Sequence, residues 1–399
     1  MSLLIQFLGI IFVFLAGLVG AYYLFLALYA LQHKENKSQI NTSPKYTFAI
    51  LIPAHNEEST IGKTLAACAE LDYPNEKYKV FVIADNCEDH TADIARKSGA
   101  ICFERYNEND SGKGYALQWG FSRILPYGSD AIIVLDADCT IESHALQILD
   151  NHLSCGCSVL QMNDVASNPD VSPISYAVTV GNWIENELFY RPKSELGWAV
   201  FLRGTGMVFR RDILEKYPWR AFSVAEDVEY GINLLKNGVK VKFVDNVRVM
   251  SEFPADYEQL QIQRTRWAHG NLGFSKRHAI KFICQGIRDG NLTLFDSGVT
   301  LLIISRPLVL LIVFLALLFS VLSWWVASGV LSNNTIIAAI IIFSIYLAYF
   351  LIGIITMGLS KKRISLLVRT PLVVLKLIGI AFRGLVGNRS IAWVRSPRP

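Results

Sequence analysis

Residues Leu3 to Leu31 carry no charged side chain. A helix of that length exceeds the roughly 20 residues needed to cross a hydrocarbon core, so the first constraint on the fold is a lipid phase. Composition agrees, since 52% of the 399 residues are hydrophobic and the mean hydropathy is +0.33, more apolar than an ordinary soluble domain. His33, Lys34 and Lys37 follow at once, and this basic flank places the next domain in the cytoplasm. A cleaved signal peptide would have a shorter apolar core and a basic segment before it.

Two more spans are expected, Leu308 to Ser328 with Trp324 and Trp325 near its end, and Ile336 to Leu359 followed by Lys361, Lys362 and Arg363. The uncharged Gly329 to Asn334 loop between them belongs outside and the basic cluster inside. From Ser365 to Gly387 the chain is apolar, but Arg369, Lys376 and Arg383 fall on one side of a helix, which predicts an interfacial helix. Lys276 to Arg288 reads the same way. The expected plan is a spanning helix at 1–32, a cytoplasmic domain at 45–272, an interfacial segment at 273–306, two spanning helices at 307–359, and a basic interfacial helix and cytoplasmic tail at 360–399. That is a multi-pass protein of the cell membrane.

The net charge of +4, without dense Lys/Arg runs, gives no nucleic-acid footprint. Of the seven cysteines only Cys155 and Cys157 are close, with no second pair at zinc-ribbon spacing, so free thiols are expected.

Between Lys45 and Leu272 short apolar runs alternate with capped amphipathic segments, the pattern of an α/β domain. The runs Phe48 to Ile52, Val80 to Ala84 and Ala131 to Leu135 end where polar residues begin, and in a sheet of βαβ units such ends line the ligand crevice. Ser59 or Thr60 is expected to cap a helix reaching Glu70. Thr91 caps another reaching Lys97, with Gly99 closing it.

Three clusters carry chemistry. Ile132 to Leu135 runs into Asp136-Ala137-Asp138, a carboxylate pair able to offer hard oxygens to Mg²⁺ or Mn²⁺ beside a substrate diphosphate, or merely to end a strand. Glu226-Asp227 opens an amphipathic stretch, where it could cap the helix or supply a general base to a hydroxyl acceptor. Gln263-Arg264-Thr265-Arg266-Trp267 offers a guanidinium fork for phosphate and a flat face for a sugar, or a basic side towards lipid headgroups. Asp85 lies just past a strand, where it could meet a nucleotide. Gly112-Lys113-Gly114 could bring a lysine to phosphate without being a P-loop. Gly204-Thr205-Gly206 allows close ligand approach. The histidines form no ligand set.

In this order the clusters resemble membrane-bound family 2 glycosyltransferases, the kind that includes cellulose, chitin, hyaluronan and poly-N-acetylglucosamine synthases and ceramide glucosyltransferase. The matching residues are Pro53-Ala54-His55-Asn56-Glu57, Asp85, Asp136-Ala137-Asp138, Glu226-Asp227 and Gln263-Arg264-Thr265-Arg266-Trp267. The resemblance implies a GT-A fold, Rossmann-like, with transmembrane helices. It places Pro53, Glu57, Asp85, Lys113, Asp136, Gln263 and Arg266 on a nucleotide-sugar donor, UDP-linked, and Asp136 with Asp138 on Mg²⁺ or Mn²⁺. Asp227 becomes the base of an inverting displacement, with Glu226 and Trp267 on the acceptor. The sequence departs from the pattern at Ala225, where the polymer synthases have Thr, and at Asn86, where they have a second Asp. It also has fewer spans than they do.

The leading expectation is sugar transfer to a polysaccharide, with an export partner protein. The alternative is a single addition to a lipid acceptor. A non-catalytic glycan- or nucleotide-binding subunit would have lost Asp138 or Asp227, and a nucleotidyltransferase would not need Trp267.

Overall fold

The structure is a computed structural model describing residues 2–33, 43–303, 305–326 and 329–386. Lys34, Lys37, Ser328 and the tail from Gly387, which entered the expected membrane plan, lie outside the described residues. The chain divides into an α/β unit, Asn36–Asn168 with Lys193–Phe253, and a helical unit, Met1–Glu35 with Pro169–Pro192 and Pro254–Pro399.

The α/β unit is built on an eight-stranded sheet. Its strands are β1 (Phe48–Ala54), β2 (Tyr78–Asp85), β3 (Ile101–Arg105), β4 (Ala131–Val134), β5 (Thr140–Ile141), β6 (Val159–Ala166), β7 (Met207–Arg210) and β8 (Lys242–Ser251). Their spatial order is β3-β2-β1-β4-β7-β6-β8-β5. The first four are mutually parallel, whereas β7 runs antiparallel to both β4 and β6. The uninterrupted apolar runs of β1 and β4 follow from burial on both faces. Phe48, Ile50 and Ile52 join one core with Val82, Ile133 and Leu135. Leu51 faces the opposite way, onto the helix Lys113–Ile124, where a Cβ on Gly120 would stand 3.2 Å from its Cδ1. Leu51 is level with Phe81 and Val134, so the polar residues that follow all three strands emerge along one sheet edge.

The helices Ile61–Ala69 and Thr91–Lys97 stand where expected, but neither is capped by the expected hydroxyl. Thr60 Oγ1 donates to Glu57 Oε2 at 2.8 Å instead, and the Thr91 amide is accepted by Asp89 Oδ1 at 3.0 Å. Gly99 does sit in the left-handed region, at φ +83°.

In the helical unit four helices are long and apolar enough to cross a membrane: Ser2–Gln32, Arg306–Val326, Val330–Met357 and Lys361–Arg383. The last meets that criterion despite its three spaced cations. The loop expected from Gly329 to Asn334 is helical from Val330 onward. Lys276 to Arg288 is no separate element either, but the second half of one helix, Tyr257–Arg288, whose start is capped by Asp256 accepting from the Gln259 amide at 2.9 Å. Glycines let the helices approach: a Cβ on Gly9 would lie 3.4 Å from the Phe319 carbonyl oxygen, and one on Gly298 only 2.7 Å from that of Ala279. Arg306 pairs with Glu185 at 3.2 Å and Arg363 with Asp170 at 3.0 Å inside this unit.

Candidate active site

The polar cluster at the strand edge is set by glycine and threonine. Gly204 and Gly206 take left-handed φ values of +81° and +64° on either side of Thr205, a backbone that bulkier residues adopt only with strain. Thr205 Oγ1 accepts the Asp136 amide at 3.1 Å and so fixes the chain where β4 ends. The fully buried Gln161 holds this loop from below, donating to the Thr205 carbonyl at 2.8 Å and accepting the Arg203 amide at 2.9 Å. Thr205 lay inside the Gly204-Thr205-Gly206 signal, but nothing in the sequence around Gln161 marks its role.

A second loop arrives from the other side. Trp219 is buried against Tyr230, Phe209 and Phe121, with its indole N–H donating to Ala221 O at 3.1 Å. This seats Ala221 so close to Gly114 that a Cβ there would lie 2.2 Å from the Ala221 carbonyl oxygen. Gly114 is thus what allows the helix Lys113–Ile124 to begin beside the helix Glu226–Lys236.

At their junction the Lys113 ammonium contacts Asp136 Oδ1, donates to the Gly204 carbonyl at 2.8 Å and lies 4.0 Å from Glu226 Oε1. Asp227 Oδ1 accepts the Val228 amide at 2.7 Å, while its Oδ2 faces Gly204. Burial, strengthened by the charge of Asp227, pushes the Glu226 carboxyl up to about 7 despite the opposing pull of Lys113. Burial raises Asp227 as well, against its amide hydrogen bond and Lys113. Asp164, paired with Arg203 at 4.0 Å, is a further acidic group near Asp136 and Asp138, and burial raises its carboxyl too.

Asp85 ends β2 but is buried rather than open, held by Arg105 Nη1 at 2.5 Å while Arg105 Nη2 donates to Asp110 O at 2.7 Å. Arg105 was not singled out from the sequence because its partner stands one strand away. Asn86, where the synthases have Asp, adopts φ +50° and accepts the Asn107 amide at 2.7 Å. Its Nδ2 also donates to the Asn107 carbonyl at 3.2 Å, a bond that a carboxylate cannot make, so the departure has a local structural cause. Pro53 lies near the end of β1, level with Ile83 of β2, and Glu57 follows the strand, buried and with its amide donating to Thr91 Oγ1 at 2.7 Å.

Gln263, Arg266 and Trp267 belong to the helix Tyr257–Arg288 of the helical unit, whereas the residues described above belong to the α/β unit. The Arg264 guanidinium sits 4.8 Å from the Trp267 ring centre and covers one face of the indole, which is 39% exposed.

Asp136, Asp138 and Cys139 bring one ligand atom each within 4.8 Å of one another. Cys139 is buried, its thiol donating to Asp138 Oδ1 at 3.5 Å and lying 3.6 Å from Thr205 Oγ1, whereas both carboxylates are only partly buried. The remaining donors are hard oxygens, a set that suits Mg²⁺ or Mn²⁺ better than a thiophilic metal.

A sheet of this order, with acidic residues along the edge where its parallel strands end, has the layout of the GT-A class. The chain belongs to the family described as glycosyltransferase like family 2, which matches residues 44–270. A probable glycosyltransferase of Bacillus subtilis is 31% identical over 273 residues, 63% of this chain and 59% of that protein. The β-monoglucosyldiacylglycerol synthase of Trichormus variabilis is 28% identical over 233 residues, 56% of this chain and 48% of its own length. The matched regions thus span only about half the length of these curated relatives. Among solved structures, a mannosyltransferase of Pyrobaculum calidifontis in complex with GDP-Man and Mn²⁺ superposes with a TM-score of 0.58 at 16% identity, over 96% of this chain and 99% of that one. That likeness establishes the GT-A fold.

Proposed function

We propose that the protein is a multi-pass membrane glycosyltransferase that moves a sugar from a nucleotide-sugar donor, UDP-linked, to a hydroxyl of a membrane lipid at the cytoplasmic face, inverting the anomeric carbon. The carrying observation is the meeting of Lys113, Asp136, Glu226 and Asp227 where β4 ends. The similarity to a β-monoglucosyldiacylglycerol synthase favours the lipid acceptor.

Pro53, Glu57 and Asp85 form the nucleotide end of the site, with Arg105 keeping the Asp85 carboxylate in place. Lys113 brings a positive charge to the donor diphosphate, and Gln263 and Arg266 add planar donors to it. A Mg²⁺ or Mn²⁺ ion on Asp136 and Asp138 supplies further charge against the diphosphate oxygens when bound. Asp227 is the base: as the acceptor oxygen bonds to the anomeric carbon, the bond from that carbon to the diphosphate breaks and the hydroxyl proton passes to Asp227 Oδ2. Its raised proton affinity suits it to that task near neutral pH. Glu226 orients the acceptor, and Trp267 offers a flat apolar surface to the acceptor sugar or lipid headgroup.

A second reading, repeated addition to a polysaccharide with an export partner, rests on the Gln263-Arg264-Thr265-Arg266-Trp267 cluster. Membranes carrying the protein, given a panel of nucleotide sugars with either diacylglycerol or an oligosaccharide, should release nucleoside diphosphate and yield a glycolipid of one added sugar. A product growing with time on the oligosaccharide supports the polymer reading, and no release with any donor removes both.

A further inference from the structure

The loop that leads into Glu226 and Asp227 is held on two sides by groups that the proposed chemistry does not use. On one side it lies across the first turn of the helix Lys113–Ile124. A Cβ on Gly114 would stand 3.1 Å from Phe222 Cα as well as against the Ala221 carbonyl, and the Phe222 ring stacks on Tyr115 with centres 4.4 Å apart and planes 19° apart. On the other side Glu229, in the first turn of the helix Glu226–Lys236, reaches back past the helix start. Its Oε2 accepts the amides of Phe222 at 3.1 Å and Ser223 at 3.0 Å. The helix has no cap of its own, since Ala225 precedes it without a side-chain hydrogen bond, and Asp227 Oδ1 is already taken by the Val228 amide.

One carboxylate oxygen thus closes residues 222–229 into a ring that contains both Glu226 and Asp227. Through Ala221 and Phe222 the ring rests on the helix that begins with Lys113. Lys113 itself is tied to Asp136 and to the Gly204 carbonyl, away from the ring. If the amides of Phe222 and Ser223 lose their acceptor, Lys113 therefore stays in place and the segment carrying Asp227 is the part that moves. A displacement of about 1 Å at a reacting group can cost about 10²-fold in rate.

We propose that Glu229 is a positioning residue for sugar transfer, fixing Asp227 relative to Lys113 through the loop 221–223 and taking no part in the chemistry itself. The proposal rests on the transfer reading above, which gives Asp227 and Lys113 their work. Because both amides fall on the same oxygen, a neutral carbonyl oxygen at that place holds them as well, so the role calls for an acceptor and not for a charge.

The test uses the full-length protein in phosphatidylcholine vesicles containing diacylglycerol, assayed for nucleoside diphosphate release from a panel of UDP- and GDP-sugars. The assay temperature is one at which the unfolding curve of each variant shows it folded. Glu229→Ala should lower kcat by about 10–100-fold and raise the donor KM by no more than about three-fold. Glu229→Gln, which keeps the acceptor oxygen, should stay within about three-fold of the parent in kcat. Glu229→Asp, one methylene short of both amides, should lose about five-fold or more, and it serves in place of the alanine variant if that one does not fold. A glutamine variant as slow as the alanine variant would assign the effect to charge and overturn the proposal. So would a lowered melting temperature with the parent's kcat, the mark of a merely structural residue, or a donor KM that rises in proportion as kcat falls. An active parent with an unaffected alanine variant removes this inference alone, whereas a parent that releases no nucleoside diphosphate from any donor removes the transfer reading and this inference with it.

Discussion

The ammonium of Lys113 rests directly on the carboxylate of Asp136, and the same nitrogen lies 4.0 Å from Glu226. One cation thus offsets a group of acids that would otherwise repel one another across a half-buried pocket. Lys113→Met would leave those acids unneutralised. With the Lys113 and Asp136 side chains 22% and 35% exposed, solvent screening brings the expected loss to about 1–3 kcal/mol, below the roughly 3–5 kcal/mol of a fully buried broken pair. Thermal unfolding in detergent without donor or metal would measure it, and added Mn²⁺ should restore part of the loss. An unchanged melting temperature would show that the pocket is already neutral by protonation.

Arg105 and Asp85 form a buried ion pair in the α/β unit, each with a side chain 7% exposed. Arg105→Leu should cost about 3–5 kcal/mol because Asp85 is left charged and unpaired. Asp85→Leu combined with Arg105→Leu should recover most of that stability, yet donor binding should stay weak because the carboxylate proposed to meet the nucleotide is gone. Donor titration by calorimetry alongside unfolding separates the two effects. Recovery of binding in the double variant would remove Asp85 from the nucleotide.

Much of this architecture could be read directly from residues whose partners are close in sequence or dictated by strand ends. The run Ile132 to Leu135 followed by Asp136 announced both a buried strand and its polar edge, and Glu226 and Asp227 open the helix they were expected to open. What escaped depended on partners far apart in the chain. Gln161 bonds a loop more than forty residues away, and Arg105 reaches back one strand to Asp85. Thr60 and Thr91, which looked like helix caps, differ for a local reason: a carboxylate two or three residues earlier competes, Glu57 accepting from the Thr60 hydroxyl and Asp89 from the Thr91 amide. The helix start at Val330 was not foreseen because Ser332, Asn333 and Asn334 look like turn residues, although a long apolar helix accommodates them near its beginning.

Asp227→Asn keeps the shape and the amide hydrogen bond but removes the proton acceptor. Turnover should fall by about 10²–10⁴-fold, the usual contribution of a positioned base, while the donor dissociation constant changes little. Equal losses in kcat and in donor affinity would make Asp227 a structural residue of the pocket.

Chelation and Asp138→Asn should act on the same term. With only hard oxygens to offer, the Asp136 and Asp138 pair should lose the ion readily to excess EDTA, and donor affinity should drop with it. Asp138→Asn should weaken donor binding in Mn²⁺ but have little further effect once EDTA is present. Donor affinity undiminished by EDTA would take both aspartates out of the metal role.

Glu226 makes the stability of the protein depend on pH in a calculable direction. Its carboxyl lies at about 7 in the native state, against roughly 4.3 for an unperturbed glutamate in the unfolded chain. Between those values the native state holds a proton that the unfolded chain has released, so the unfolded state binds fewer protons and unfolding free energy falls as pH rises. Asp227, raised in the same sense, adds to the slope. The protein without donor or metal should therefore melt at a higher temperature at pH 5 than at pH 8. Glu226→Gln should make that difference smaller without erasing it, since Asp227 still titrates. Should the variant and the parent lose stability equally between these two pH values, Glu226 is not the group that takes up the proton, and the charge on Lys113 must already be answered by Asp136 alone.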